Sequence, residues 1–228
     1  MALIRFAEGQ QRSGSIGASV YSHNRFGPYI RARSVPVNPS TDRQVAARNA
    51  VRALAILWQT TLTQPQRDAW AVYASNVEWR NKFGDAVNLT ALNHYVRCNA
   101  ARLPYGFARI DTAPAIQDLG IAELALTATA SEATQDLTIG GDPDGDWIAD
   151  PGANQFYSIG LPQNPGIIFF GGPFRATGVT SIGPPPFPIT HPAAFPFVEG
   201  QRLWLRSRIQ LSDGRLSEFA QINFLTDA

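Results

Sequence analysis

The first 39 residues show strand-like alternation with no helical period. Gly14-Ser-Ile-Gly17 opens a run, Ser19-Val-Tyr-Ser-His23. Asn24-Arg-Phe-Gly27 supplies a turn, and Pro28-Tyr-Ile-Arg-Ala-Arg33 returns. Glycine and asparagine accept the positive φ that tight hairpins need. Side chains alternate with a period of two, so Tyr29, Arg31 and Arg33 share one face of the return strand. Val35-Pro-Val-Asn-Pro39 holds two prolines and is neither helix nor central strand. A two-stranded ribbon of this size is marginal in water. Residues 1–40 therefore read as an extended arm with a hairpin that must lie against something else.

From residue 41 the period changes to that of a helix. Thr41 with Gln44, and Thr63 with Gln66, form capping boxes. Asp42 occupies the first turn, where the helix dipole favours an anion. Ala47, Ala50, Val51, Leu54 and Trp58 follow the first box at helical spacing, while Arg48 and Arg52 sit one turn apart on another face. Pro65, Ala69, Trp70 and Tyr73 follow the second. Asn88 or Thr90 caps a third helix through Leu92, Tyr95 or Val96, Asn99 and Leu103, after a polar loop over 78–87 that pivots on Phe83-Gly84-Asp85. Residues 41–105 thus read as a three-helix module.

Residues 106–122 read as a linker, with Gly106, Pro114 and Gly120. Beyond them the alternation returns. Leu124-Ala-Leu-Thr-Ala-Thr129, Asp136-Leu-Thr-Ile139, Gln155-Phe-Tyr-Ser-Ile159, Gly166-Ile-Ile-Phe-Phe170, Arg202-Leu-Trp-Leu-Arg-Ser-Arg-Ile209 and Phe219-Ala-Gln-Ile-Asn-Phe224 read as strands. The last two are joined at Leu211-Ser-Asp-Gly-Arg215, whose Asp213-Gly214 is a hairpin signal. The proline-rich stretch from Gly183 to Pro192 reads as a surface loop without regular structure. The expected fold class is α+β: arm and hairpin, three helices, then an antiparallel β-sandwich over 123–228.

Charge adds a second division. Residues 1–110 hold 14 Lys+Arg against 5 Asp+Glu, whereas 111–228 hold 5 against 13. The near-neutral total hides a strong asymmetry, which points to a charged partner: nucleic acid, an acidic protein, or the acidic half of another copy. Lys82 is the one lysine among the 19 basic residues. Arginine suits bidentate contacts at interfaces and phosphates, although a GC-rich coding sequence would give the same bias. The single cysteine, Cys98, excludes an internal disulfide and a cysteine zinc cluster. On a helix it reads as a buried, inert thiol. No apolar run is long enough to span a membrane and no secretory signal opens the sequence, so synthesis in a cytoplasm is the expectation.

Candidate chemistry is sparse. His23, His94 and His191 lie in unrelated settings, and no Gly-x-Ser-x-Gly elbow occurs, which argues against a hydrolase. Asp142, Asp144 and Asp146 have the 1, 3, 5 spacing of a calcium loop. The pattern then fails, with Trp147 at the sixth position and Ala153 at the twelfth. An acidic turn is the plainer reading, and no cofactor is expected. Gly14-Ser-Ile-Gly17 lacks the Gly-Lys-Ser/Thr of a phosphate loop. The basic arm, with Arg5, Arg12, Arg25, Arg31, Arg33, Arg43, Arg48 and Arg52 and the aromatics Phe26 and Tyr29, could follow a phosphate backbone or lock onto acidic protein. Phe169, Phe170, Phe174 and Phe187 are candidates for a carbohydrate surface or for plain core packing.

One family resemblance follows from these residues. Gly14-Ser-Ile-Gly17, Tyr21-Ser-His-Asn-Arg25-Phe-Gly27-Pro-Tyr29-Ile-Arg31-Ala-Arg33 and Pro36-Val-Asn-Pro39-Ser-Thr41 resemble the opening of a family encoded by tailed bacteriophages and prophages. The likeness continues through Gln66-Arg67-Asp-Ala-Trp70 and the 89–99 helix, about the first 105 residues. It implies a virion structural protein and no catalytic residues. Trp204-Leu-Arg-Ser-Arg208 to Asp213-Gly-Arg-Leu-Ser217-Glu218 resembles the last hairpin of a fibronectin-III or immunoglobulin-like module. The expected function is a non-enzymatic particle protein in the virion, a head decoration or cement component. It would be anchored through Arg25, Tyr29, Arg31, Arg33, Arg48 and Arg52 to other virion proteins or copies of itself. Alternatives are a tail or neck protein and a nucleic-acid-binding protein.

Overall fold

The structure, a computed structural model, describes residues 2–3, 13–34, 40–80, 83, 85–181 and 187–228. Arg5, Arg12, the proline segment 35–39, Lys82, Gly84 and the prolines of 183–186 lie outside them. The chain is α+β, with three helices and antiparallel sheets, and forms two compact units, Met1–His94 and Tyr95–Ala228. The division falls inside the third helix rather than at 105/106 or 122/123.

In the first unit the expected ribbon is a four-stranded sheet. Strands β1 (Ala2–Leu3), β2 (Gly14–Ile16), β3 (Ser19–Asn24) and β4 (Gly27–Ala32) lie in the order β1-β4-β3-β2. The central hairpin is the one the sequence gives: Asn24 pairs with Gly27, and Asn24 Oδ1 accepts the Phe26 N–H at 2.9 Å. Gly27 has φ +111°. The flanking strands are two and three residues long, too short to display an alternation, so the pattern could not reveal them.

Helices α1 (Asp42–Thr60), α2 (Gln64–Asn76) and α3 (Ala91–Ala100) begin where their caps predict. Gln44 Oε1 accepts the Thr41 N–H at 3.4 Å, and Gln66 Oε1 the Thr63 N–H at 2.9 Å. Thr90 caps α3, its Oγ1 accepting the Asn93 N–H at 3.3 Å. Arg67 closes the other end of α1, donating to the Leu62 carbonyl at 2.8 Å and the Trp58 carbonyl at 3.2 Å. A cation at a helix C-terminus satisfies the orphan carbonyls and the dipole together. Leu54, Leu62, Trp70, Tyr73, Val77 and His94 are buried. Tyr73 meets Trp70 and His94 edge-on at 5.8 and 5.2 Å. The expected α1 stripe is covered only in part: Leu54 is buried, while Ala47 and Val51 are exposed. The polar loop after α2 holds a further pairing, β5 (Trp79–Arg80) with β6 (Ala86–Val87).

Among its described residues the second unit has seven strands in two antiparallel sheets. Strands β7 (Thr127–Ser131), β8 (Asp136–Gly140) and β11 (Ile189–Pro192) lie in the order β11-β8-β7. Strands β9 (Asn154–Gly160), β10 (Phe174–Ser181), β12 (Arg202–Gln210) and β13 (Ala220–Leu225) lie in the order β10-β9-β12-β13. Leu137 and Ile139 from the first sheet share one buried cluster with Tyr157, Ile159, Leu203 and Leu205 from the second. One strand expectation and one loop expectation fail here. Gly166–Phe170 is loop, because Phe170 turns in beneath Gly160 to stack on Trp204 at 5.3 Å while Ile168 and Phe169 face solvent. The end of the proline-rich stretch is strand β11, where Pro192 takes the last pairing position and so withholds no interior ladder bond. Residues 124–126 precede β7 rather than belonging to it. Strand β10, broken by a bulge between Ala176 and Gly178, had no readable alternation. Gly214 takes φ +96° in the β12–β13 turn, as the Asp-Gly signal requires.

The stretch 106–122 has no regular structure but is fastened within this unit. Buried Asn99 accepts the Ile110 N–H at 2.8 Å and donates to the Ile110 carbonyl at 3.0 Å, pairing with it as a second backbone would. Arg97 donates to the Leu216 and Ser217 carbonyls, and Gln210 to the Cys98 carbonyl. The end of α3 is thereby tied to the last turn of the sheet.

Candidate functional site

The arginine face of the first sheet is built by the pairing register. Tyr29 lies opposite Ser22 and Arg31 opposite Val20, and Arg33 extends the edge through its N–H to the Ala18 carbonyl at 2.7 Å. Val20, Ser22, Tyr29 and Arg31 therefore share one face, as the alternation predicts. Arg25 occupies the hairpin tip and is exposed, as are Arg31 and Arg33. Among the described residues no carboxylate forms an ion pair with these three. No described side chain of β2, β3 or β4 is buried. Arg48 and Arg52 are exposed on α1.

The second unit carries the opposite charge in a defined place. A cleft of about 550 Å³ is walled by the 118–125 segment, the 142–150 loop, and Ile209, Leu211 and Arg215. Buried Glu123 organises it, accepting N–H groups from Ala125 at 3.0 Å, Asp142 at 3.4 Å and the Trp147 indole at 3.3 Å. Arg215 is engaged by Asp118 and Asp213, each at 2.7 Å. Burial disfavours the ionised Asp118, but Arg215 and the Gly120 N–H outweigh it and hold its carboxyl below the usual range. That leaves Asp142, Asp144 and Asp146 exposed at the cleft with no cationic partner among the described residues. Asp142 Oδ1 accepts the Asp144 N–H at 3.0 Å, and Asp146 starts a short 3₁₀ turn, Asp146–Ala149. Among the described residues no three carboxylate, histidine or cysteine groups converge on a point that could hold a metal ion.

Sequence reasoning missed a third feature, the outer face of the β10-β9-β12-β13 sheet. Arg206 lies over Phe174 at 3.8 Å, and Arg208 over Phe219 at 4.8 Å. Tyr105 stacks on Phe156 at 5.5 Å. Burial, aided by the nearby Arg97 charge, pushes the Arg208 guanidinium down to about 10, which leaves it charged at neutral pH. The alternation Trp204-Leu-Arg206-Ser-Arg208 held this signal, since one register puts every planar side chain on one face. The four phenylalanines considered for a carbohydrate surface do not assemble into one. Phe170 is buried, Phe169 is 80% exposed, and Phe187 packs against Trp147.

The three histidines stay apart. His23 is exposed on β3, His94 packs against Tyr73, and His191 lies against Tyr157 in the other unit. Cys98 is fully buried, and burial raises its thiol to about 11. Among the described residues no helix is long and apolar enough to cross a membrane. No family model and no curated protein matches this sequence.

Proposed function

We propose that this chain is a non-enzymatic structural protein of a tailed-bacteriophage particle, a head decoration or other surface component, attached through the arginine face of the β1–β4 sheet. The unit Tyr95–Ala228 is read as a β-sandwich of the fibronectin-III or immunoglobulin-like kind that the anchor presents. The observation carrying the reading is a sheet whose strands β2, β3 and β4 bury no side chain and which displays three exposed arginines with no ion-pair partner among the described residues. A sheet needs a covered apolar face for stability of its own, so a surface of this composition gains order from a partner. The sandwich reading is supported by two antiparallel sheets that share inner side chains and exchange strands between them.

The test replaces Arg25, Tyr29, Arg31 and Arg33 by alanine and measures occupancy in purified particles, with the location read from a density map. Loss of the protein from particles with an unchanged circular dichroism spectrum is the expected result. Full occupancy rejects the reading. Binding of the purified chain to duplex or single-stranded DNA that collapses as salt rises would instead assign the arginines to phosphates.

A further inference from the structure

The two charged surfaces are complementary to one another. Residues 1–94 carry 11 basic and 5 acidic side chains, and residues 95–228 carry 8 and 13. Much of the positive charge in the second unit is turned inward. Arg97 and Arg102 donate to carbonyls, and Arg109 and Arg215 pair with aspartates. What the cleft displays is Asp142, Asp144 and Asp146, beside exposed Ile121 and Leu124. What the first sheet displays is Arg31, Arg33 and the tip residue Arg25, beside the half-buried Val20 and Tyr29. Each surface sets apolar side chains beside exposed charges, arginines on the sheet and aspartates at the cleft. That is the composition of two halves of one interface.

We propose that the arginine face of the β1–β4 sheet in one copy docks on the acidic cleft of the 95–228 unit in a second copy. The proposal rests on the reading of that sheet as the attachment surface and names its occupant. A second copy fits better than nucleic acid, because each approaching chain brings the acidic cleft along with the arginines. The contact is heterologous: sheet meets cleft, and the pair still offers one free sheet and one free cleft. Such contacts propagate into rings or open chains. Six-residue strands are about 20 Å long and spaced about 5 Å apart. The face is therefore small, and association is expected to be weak for a single contact and strengthened only by closure or by a particle lattice.

The experiment uses the full chain and analytical ultracentrifugation at low and high salt. The wild type should grow in mass with concentration at low salt, and the association constant should fall tenfold or more between about 0.05 and 0.5 M salt as the Debye length shortens. Arg31→Glu with Arg33→Glu destroys the sheet surface. Asp142→Arg with Asp144→Arg destroys the cleft surface. Each double variant should be monomeric, yet an equimolar mixture should recover growth with the two variants alternating, because the native arginine–aspartate contact and the exchanged glutamate–arginine contact are both available between unlike chains. All four changes in one chain should restore growth through the exchanged charges. These residues are exposed, and far-UV circular dichroism with a thermal melt confirms that each variant is folded. A wild type that is monomeric at all concentrations overturns the proposal, as does a mixture of folded variants that stays monomeric. If self-association fails but the arginine variant is still lost from particles, the attachment reading stands and the partner is a different protein.

Discussion

Replacing Asn99 by leucine tests how the second unit is fastened. The change nearly conserves volume and leaves the helix intact, but it removes all three hydrogen bonds of a side chain that is 1% exposed. Asn99 Nδ2 donates to the Tyr95 and Ile110 carbonyls, each at 3.0 Å, and Oδ1 accepts the Ile110 N–H at 2.8 Å. Each bond contributes about 1 kcal/mol net, and the two Ile110 backbone groups left without partners cost roughly 1 kcal/mol or more each. Burial of the leucine methyls returns about 1.5 kcal/mol. The net loss is therefore about 3–4 kcal/mol, a drop in Tm on the order of 10 °C for a unit of this size. The assay is thermal and urea unfolding followed by far-UV circular dichroism and tryptophan fluorescence. Asn93→Leu, an exposed position on the same helix, serves as the control and should stay within about 0.5 kcal/mol of wild type. If the two variants melt together, 106–122 is a loose connector after all and the clamp contributes nothing.

Three further outcomes follow. Gly178→Ala places a Cβ 2.5 Å from the His191 ring in an interior site, so urea unfolding should show a loss of about 1–3 kcal/mol. Burial depresses the His191 pKa, and its enclosed Nε2 has no hydrogen-bond partner among the described residues. Below the unfolded value of about 6.5 the unfolded chain then binds more protons than the folded one, so stability is complete above that pH and declines as pH falls beneath it. Urea midpoints at pH 7.5 and 5.5 should show a decline that is smaller in His191→Phe; equal declines would remove His191 as a source. Cys98, buried and with its thiol raised to about 11, should resist a thiol reagent at pH 8 and react once per chain in denaturant. Rapid native labelling would contradict its placement.

Legibility in the sequence followed how local each determinant is. The three helix starts are readable because a cap and the N–H it bonds lie within four residues, and the Asn24–Gly27 and Asp213-Gly214 turns because turn chemistry is fixed by the residues in it. The ribbon is under-counted because β1 is two residues long and is defined by its distant partner Tyr29-Ile30, with Ala2 opposite Ile30 and Leu3 opposite Tyr29. Gly166–Phe170 has the composition of a strand. Its conformation is set instead by Phe170 reaching Trp204, 34 positions on, which no window of sequence contains. The arginines of the candidate surface were found because alternation on one strand decides a face. The acidic cleft was seen only as a failed calcium loop, since its other wall is contributed by Asp118 and Glu123 from a stretch that reads as a linker.

Alternation also limits what can cover the first sheet. The register puts Val20, Tyr29 and Arg31 on one side and Tyr21, Ile30 and Ala32 on the other. None of the six is buried. A partner that covers the arginine side leaves Tyr21 and Ile30 as they were, so the two sides can be tested separately. Docking on the charged side responds to salt through screening. Docking on the Tyr21–Ile30 side is driven by apolar burial and strengthens in excluded salts such as sulfate. Opposite responses to sodium chloride and ammonium sulfate therefore tell which side of the same four strands carries the contact, without altering a residue.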